Sequence, residues 1–204
     1  MDPAGKTAVV TGGNSGLGGA TVQALLAAGV RVVSLDLSGS APDRAEFLSC
    51  DVSDAAAVEA AVAQIDGPIH ILVNSAGIGG MGAIASAEGP ADLAAVRKVI
   101  EVNLVGAINA TAHVAHRMIG NAPDEADGER GVIINACSIA SFEGQEGMTA
   151  YTAAKAGLAG LTLVWTRDLS KHGIRVMGIA PGFMATPMVS FLPEDFVAEL
   201  LKDA

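Results

Sequence analysis

VVTGGNSGLGGATVQALL, residues 9–26, carries five glycines, at 12, 13, 16, 18 and 19, between a β-branched run and an alanine- and leucine-rich one. A strand that turns over glycines directly into a helix is the opening unit of a βαβ arrangement. The strict G-x-G-x-x-G spacing is absent. The glycines nevertheless let the backbone approach a pyrophosphate, and the start of the helix offers unpaired N–H groups. A glycine-rich turn that binds nothing is the competing reading, and the turn alone does not separate the two.

Outward from that turn the alternation repeats. KTAVVT (6–11), RVVSLD (31–36), EFLSCD (46–51), IHILVN (69–74), GVIINACS (131–138) and IRVMGIA (174–180) are short apolar runs. Continuous runs of that kind fit parallel strands covered on both faces. Between them, residues 17–28, 54–65, 91–120 and 150–171 predict helices. The expected fold is α/β, a doubly wound and mostly parallel sheet with helices on both faces. No linker-like shift in composition divides the 204 residues, so one domain over 1–204 is expected. GNAPDEADGER (120–130) stands apart as a polar, acidic loop before the fifth strand.

Half of the residues are hydrophobic, enough for a sizeable core. A formal net charge of −10 disfavours nucleic acid and anionic membranes as partners. Mean hydropathy is +0.45, yet Glu101, Asn103 and Asn109 interrupt the best candidate for a spanning helix. The N-terminal MDPAGKTAVVTGG has no basic segment followed by an apolar one, so no leader is expected. Cys50 and Cys137, the only cysteines, read as small buried hydrophobes, and a reducing, cytoplasmic location is expected.

Asp36 ends the second strand, 18 residues after Gly18. An acid there can accept hydrogen bonds from an adenosine ribose and would repel a 2′-phosphate. No Arg or Lys follows it directly and none lies in the glycine turn, so the expected cofactor is NAD(H), not NADP(H). Asp51 ends the third strand, where an acid faces adenine or, equally well, caps a turn.

TAYTAAKAGLAGL (149–161) holds the only tyrosine, Tyr151, with Lys155 four residues on and therefore on the same helical face. A free tyrosine needs its pKa lowered by about 3 units, roughly 4 kcal/mol, to act as a base near pH 7. A cation about 4 Å away supplies roughly that much at an effective dielectric of about 20. A packed tyrosine edge beside a snorkelling lysine is the alternative. Ser138, at the C-terminal end of the fifth strand, can hold a carbonyl oxygen for the tyrosine proton; satisfying local backbone is its alternative role.

Together these residues resemble the short-chain dehydrogenase/reductases, from residue 5 to the end of the chain. The matching motifs are TGGNSGLG (11–18), DV (51–52), NSAG (74–77), Asn103, Ser138, YTAAK (151–155), PG (181–182) and Thr186. The family usually reads Asn-Asn-Ala-Gly where this chain has NSAG. The resemblance implies a Rossmann sheet in the order 3-2-1-4-5-6. It implies NAD bound at the turn by Gly12, Asn14, Ser15, Gly16, Leu17 and Gly18, and along the adenosine by Asp36, Asp51 and Val52. Asn74, Ala76 and Gly77 follow at the sheet centre, and Tyr151, Lys155, Pro181, Gly182 and Thr186 on the nicotinamide side. Tyr151 is then the proton carrier, Lys155 lowers its pKa and binds the nicotinamide ribose, and Ser138 orients the substrate oxygen. Asn103 supports a proton-relay water through its backbone. Hydride chemistry belongs to the nicotinamide.

Within the family the likeness extends to the type II 3-hydroxyacyl-CoA dehydrogenases, also described as 17β-hydroxysteroid dehydrogenase type ten. It is carried by RGVIINACSIASFEGQEGMTAYTAAKAGLAGLT (130–162), GIRVMGIAPGFMATPM (173–188) and the acidic insertion. This implies a 3-hydroxyacyl-CoA, or another secondary alcohol, oxidised to its ketone with NAD⁺. Ser138, Gln145 and Tyr151 are then the candidate substrate contacts. Family members continue past the sixth strand with covering helices and a last strand, whereas LPEDFVAELLKDA (192–204) only begins the first of these. Either a truncated or proteolysed chain or a natural short form with a looser pocket is therefore expected, with the sixth strand an exposed edge. The long helix and catalytic helix, which build the family's dimer contact, are present, so at least a homodimer is expected, and dimer against homotetramer stays open.

Two other readings remain at this point. One is a non-catalytic NAD(H)-binding sensor or scaffold, motivated by the short tail. The other is an NADPH-dependent 3-oxoacyl-carrier-protein reductase, which Asp36 argues against. His113 and His116 stand i, i+3 on the long helix without a third ligand at suitable spacing, so no metal is expected. Asp124, Glu125, Asp127 and Glu129 read as a solvated acidic surface.

Overall fold

The computed structural model describes residues 1–42, 44–184 and 186–187. Strand β1 (Thr7–Thr11) is buried along its whole length, the environment its β-branched run calls for. β2 (Arg31–Asp36), β3 (Glu46–Ser49), β4 (Ile71–Asn74), β7 (Gly131–Ala136) and β8 (Ile174–Ile179) join it in a six-stranded sheet. All five pairings are parallel, in the order β3-β2-β1-β4-β7-β8. β5 (Ala85–Ser86) and β6 (Gly89–Pro90) form a separate two-stranded hairpin. Without it the order is the expected 3-2-1-4-5-6. The order reverses between β1 and β4, and a sheet of this kind binds ligands outside the strand carboxyl ends at that point.

Alternate residues of each strand feed different layers. Val9, Val33, Leu72 and Ile133 pack with Val58 and Val62 of α2 (Ala55–Ala63) and Val114 and Met118 of α4 (Gly106–Ile119). Trp165 and Leu169 of α5 (Thr149–Leu169) cover the same layer. Ala8, Val10, Ile71 and Val73 face the other way, onto Val22 and Leu25 of α1 (Gly16–Ala27). β8 is an edge strand among the described residues, with Met177 and Ile179 exposed. LPEDFVAELLKDA, expected to begin a covering helix, lies outside the described residues. Among the described residues, no helix is long and apolar enough to cross a membrane.

The single helix expected over 91–120 is broken in register. α3 (Leu93–Ile100), capped by the Asp92 side chain, passes into a π turn at Glu101–Val105 before α4 resumes. The cause is tertiary. Buried in that turn, Asn103 accepts from the Ile78 N–H at 2.7 Å and donates to the Ile78 carbonyl at 2.9 Å. π turns inside helices often accompany functional sites.

The acidic loop also departs from expectation, because it is not uniformly solvated. Glu129 is buried, pairs closely with Arg175 of β8, and lies 3.0 Å from the Met1 amine. Lys6 pairs with Asp124 at 3.4 Å. Burial pushes the Glu129 carboxyl up, but hydrogen bonds from Arg175 and Met1 outweigh it and hold the pKa below the usual value. A depressed carboxyl pKa contributes stability that is present above its unfolded value and lost as pH falls through the folded one. Glu129→Gln is expected to cost about 1–2 kcal/mol near pH 7. Urea denaturation should show that difference shrinking below about pH 4 as the wild-type carboxyl protonates; an equal difference at both pH values would refute the ion pair.

Candidate active site

The glycine turn is shaped by two close approaches. Gly12 sits at φ +67°, and a Cβ there would stand 2.7 Å from the Ala76 Cα. A Cβ on Gly18 would stand 2.1 Å from the Gly12 carbonyl oxygen. α1 therefore starts against the turn itself. Its N-cap, the exposed Ser15, makes no side-chain capping bond, and no acid lies in the first helical turn. The first N–H groups of α1, around Gly16, half-buried Leu17 and Gly18, can thus serve an external anion. Thr186 reaches the same point, with its Cβ 3.6 Å from the position a Gly16 Cβ would take.

Asp36 stands beside this turn. Its Oδ2 accepts the Asn14 N–H at 3.1 Å and its Oδ1 the Leu37 N–H at 2.8 Å. Asn14 is held in turn by Ser34 and the Ser38 carbonyl. A carboxylate locked at the end of β2 beside a glycine-rich turn is a donor–acceptor set that fits a dinucleotide.

The other adenosine-side candidates are placed less directly. Asp51 lies two residues past the end of β3 and accepts from the Ser53 N–H at 2.9 Å and hydroxyl at 2.6 Å, with Lys98 at 3.8 Å. It serves as a turn acid here, and these bonds, Ser53 first, hold its pKa low. The Val52 side chain is buried beneath Gly106, and its carbonyl accepts from Asn109 at 2.9 Å. Asn74 is buried and spends its amide on Thr111 and Asn135, tying β4 to α4 and β7. Ala76 and Gly77, by contrast, line the approach between the turn and Asn103.

At the far side, the strand that carries Ser138 ends at Ala136, two residues earlier than expected. Ser138 is extended and caps a single 3₁₀ turn (Ile139–Ser141), accepting the Ala140 N–H at 3.2 Å. Tyr151 faces the same hydroxyl: burial raises the phenol pKa, and Ser138 offsets part of that rise. Pro181 accepts the Ile139 N–H at 3.1 Å, which brings residues 181–184 alongside; no described atom lies within 4 Å of where a Gly182 Cβ would stand. Half-buried Gln145 lies in the 142–148 loop, which the Gly82–Gly147 backbone bond joins to the 79–92 loop.

Tyr151 and Lys155 share a face as expected, but their electrostatics differ from expectation. The Lys155 ammonium lies 5.7 Å from the Tyr151 ring centroid and donates to the Ala136 carbonyl at 2.7 Å. Lys155 is 5% exposed, and burial pushes its pKa down to about 8. Burial likewise pushes Tyr151 up, more than the Ser138 bond lowers it. The expected depression of the phenol by the ammonium is therefore absent from the protein's own groups: desolvation dominates both. Around neutral pH the pair is a neutral phenol beside an ammonium, a proton-donating arrangement.

Sequence reasoning missed two contributors. Thr11 Oγ1 accepts the Ser75 and Ala76 N–H groups, each at 3.1 Å, and so hangs the post-β4 loop from β1. Its signal was a polar residue closing an apolar strand immediately before the glycines. The Ala136 carbonyl left no signal, because any residue type supplies one. Among the described residues, no group of three His, Cys, Asp or Glu is gathered to hold a metal ion.

A six-stranded parallel sheet with this turn, and with Ser138, Tyr151 and Lys155 beyond the strand ends, defines a Rossmann-type oxidoreductase. The short chain dehydrogenase family model matches residues 6–196, and the chain belongs to that family, an enzyme acting on CH–OH groups. The human protein described as 3-hydroxyacyl-CoA dehydrogenase type-2 is 42% identical, over 93% of this chain and 77% of its own. A Mycobacterium tuberculosis 3-alpha-(or 20-beta)-hydroxysteroid dehydrogenase is 36% identical, over 98% and 77%. The crystal structure of 3-hydroxyacyl-CoA dehydrogenase type-2 from Mycobacterium avium superposes with a TM-score of 0.87 at 39% identity, covering 97% of this chain and 83% of that one.

Proposed function

We propose that residues 1–204 form one NAD(H)-binding unit that interconverts a secondary alcohol and its ketone, with a 3-hydroxyacyl-CoA/3-ketoacyl-CoA pair as substrate. The Asp36 carboxylate beside the glycine turn carries the cofactor choice. The substrate choice rests on likeness to proteins named 3-hydroxyacyl-CoA dehydrogenase type-2. The bound nicotinamide supplies the hydride chemistry. The start of α1 binds the pyrophosphate and Asp36 the adenosine ribose, while Lys155 and Thr186 hold the nicotinamide end. Ser138 orients the substrate oxygen, and Tyr151 gives it a proton in reduction or takes one in oxidation. Exposed Ile108 of α4 and exposed Leu163 and Val164 of α5 support a homodimer, and the free, buried Cys50 and Cys137 support a reducing, cytoplasmic location.

Turnover of 3-hydroxyacyl-CoAs of several chain lengths and of steroid alcohols, with NAD⁺ against NADP⁺, tests this reading. Preference for NADP⁺ would overturn the cofactor assignment, and turnover of steroids alone would overturn the thioester. Asp36→Asn is expected to reduce the NADH-over-NADPH ratio of kcat/KM about tenfold to a hundredfold, the equivalent of one or two charged hydrogen bonds. An unchanged ratio would remove Asp36 from the site.

A further inference from the structure

The catalytic helix is fastened to the sheet by polar bonds at two points that share one helical face. Lys155 and Thr162 are seven residues apart in α5, two turns, and so project the same way. They meet consecutive residues of one strand. Lys155 donates to the Ala136 carbonyl at 2.7 Å, and Thr162 Oγ1 accepts from Asn135 Nδ2 at 2.9 Å. Thr162 passes its own proton to the Leu158 carbonyl at 2.9 Å. Asn135 is fully buried, and its Oδ1 accepts from Asn74 Nδ2 at 2.9 Å, which in turn also donates to Thr111 at 2.9 Å. A polar strut thus runs from α4 through β4 and β7 to α5, one residue from the carbonyl that holds the Lys155 ammonium.

We propose that Thr162, acting through Asn135, is a positioning residue that sets where the Lys155 ammonium sits. Apolar contacts alone let a helix slide or rotate on a sheet, whereas a buried amide with a single partner for its donor admits one register. Without the Thr162 hydroxyl, Asn135 Nδ2 is left in the core with no acceptor, and α5 loses its fixed rotation over β7. The ammonium then leaves its dry slot. The titratable groups that face it are the Tyr151 phenol on its own helix and the Cys137 thiol after β7. From the loop after β4, the position a Gly77 Cβ would take lies 3.8 Å from the ammonium and 3.0 Å from Asn103 Oδ1, and neither residue titrates.

The proposal rests on the catalytic reading of Tyr151 and Lys155, and its test separates the two. Thr162→Val removes the hydroxyl at constant shape, and Thr162→Ser keeps it. Thr166→Val is the control: the Thr166 hydroxyl stands 2.7 Å from the Thr162 carbonyl and 3.1 Å from the Val176 carbonyl, so this variant removes a hydroxyl from the same helix while the Thr162 hydroxyl and its Asn135 bond remain. Thr162→Val is expected to lower kcat about tenfold or more, as small displacements of reacting groups do. It should also move the Lys155 titration, followed by NMR of ¹³C-labelled lysine Cε in the intact protein, upward from about 8. Thr162→Ser should retain both wild-type values, and Thr166→Val should leave the titration in place. Should Thr162→Val not fold, Thr162→Ala carries the same expectations. An unmoved titration in the hydroxyl-free variant, or an equal shift in Thr166→Val, overturns the positioning role. Because the NMR readout needs no turnover, a wild type whose turnover survives Tyr151→Phe would sink the catalytic reading separately.

Discussion

Tyr151→Phe is expected to lower kcat by about a hundredfold to ten-thousandfold, the range a positioned proton carrier supplies, or roughly 3–5 kcal/mol of barrier. The phenyl ring keeps the packing of a half-buried residue on α5 and removes only the phenol oxygen. NADH affinity should therefore stay within a few-fold of wild type while turnover collapses. The pH dependence follows from the same burial. Reduction needs the neutral phenol, which burial favours, and the Lys155 ammonium, which is lost as pH rises through about 8. Reduction should hold level at neutral pH and fall above about 8, whereas oxidation, which needs the phenolate, should rise with pH. A Tyr151→Phe enzyme that keeps wild-type turnover, or an oxidation rate that falls as pH rises, would refute the assignment.

Gly18→Ala is expected to be severely damaging. Its Cβ would stand 2.1 Å from the Gly12 carbonyl oxygen, which is backbone and cannot rotate aside. Gly12 is itself wedged against the Ala76 Cα at φ +67°. Relief requires α1 to move away from the turn, which displaces the helix start proposed to hold the pyrophosphate. A cost of about 3 kcal/mol is expected, lowering Tm by about 10 °C. NADH affinity should fall more than tenfold. A variant with unchanged Tm and NADH affinity would show that the turn adapts.

The parts of the site that were legible are those whose geometry follows from short spacing. Tyr151 and Lys155 share a face because four residues make one helical turn, and Gly12 to Gly18 mark the strand-to-helix bend. Asp36 was legible because a strand end is a place, and the structure puts its carboxylate against Asn14 of the turn. The reading failed where the deciding partner is distant in the chain. The π turn at Glu101–Val105 follows from Asn103 bonding Ile78, 25 residues earlier. Asp51 reads alike as an adenine acid or a turn acid until Ser53 and Lys98 are seen around it.

The apolar runs and the glycine bend alone determined the sheet, its parallel winding and the helix faces, because burial periodicity and side-chain-free turns are local properties. Tertiary structure alone decided the electrical state of Tyr151 and Lys155. How far a phenol or an ammonium is stripped of water depends on everything packed around it. Here that packing turns Lys155 toward the Ala136 carbonyl and leaves Tyr151 holding its proton.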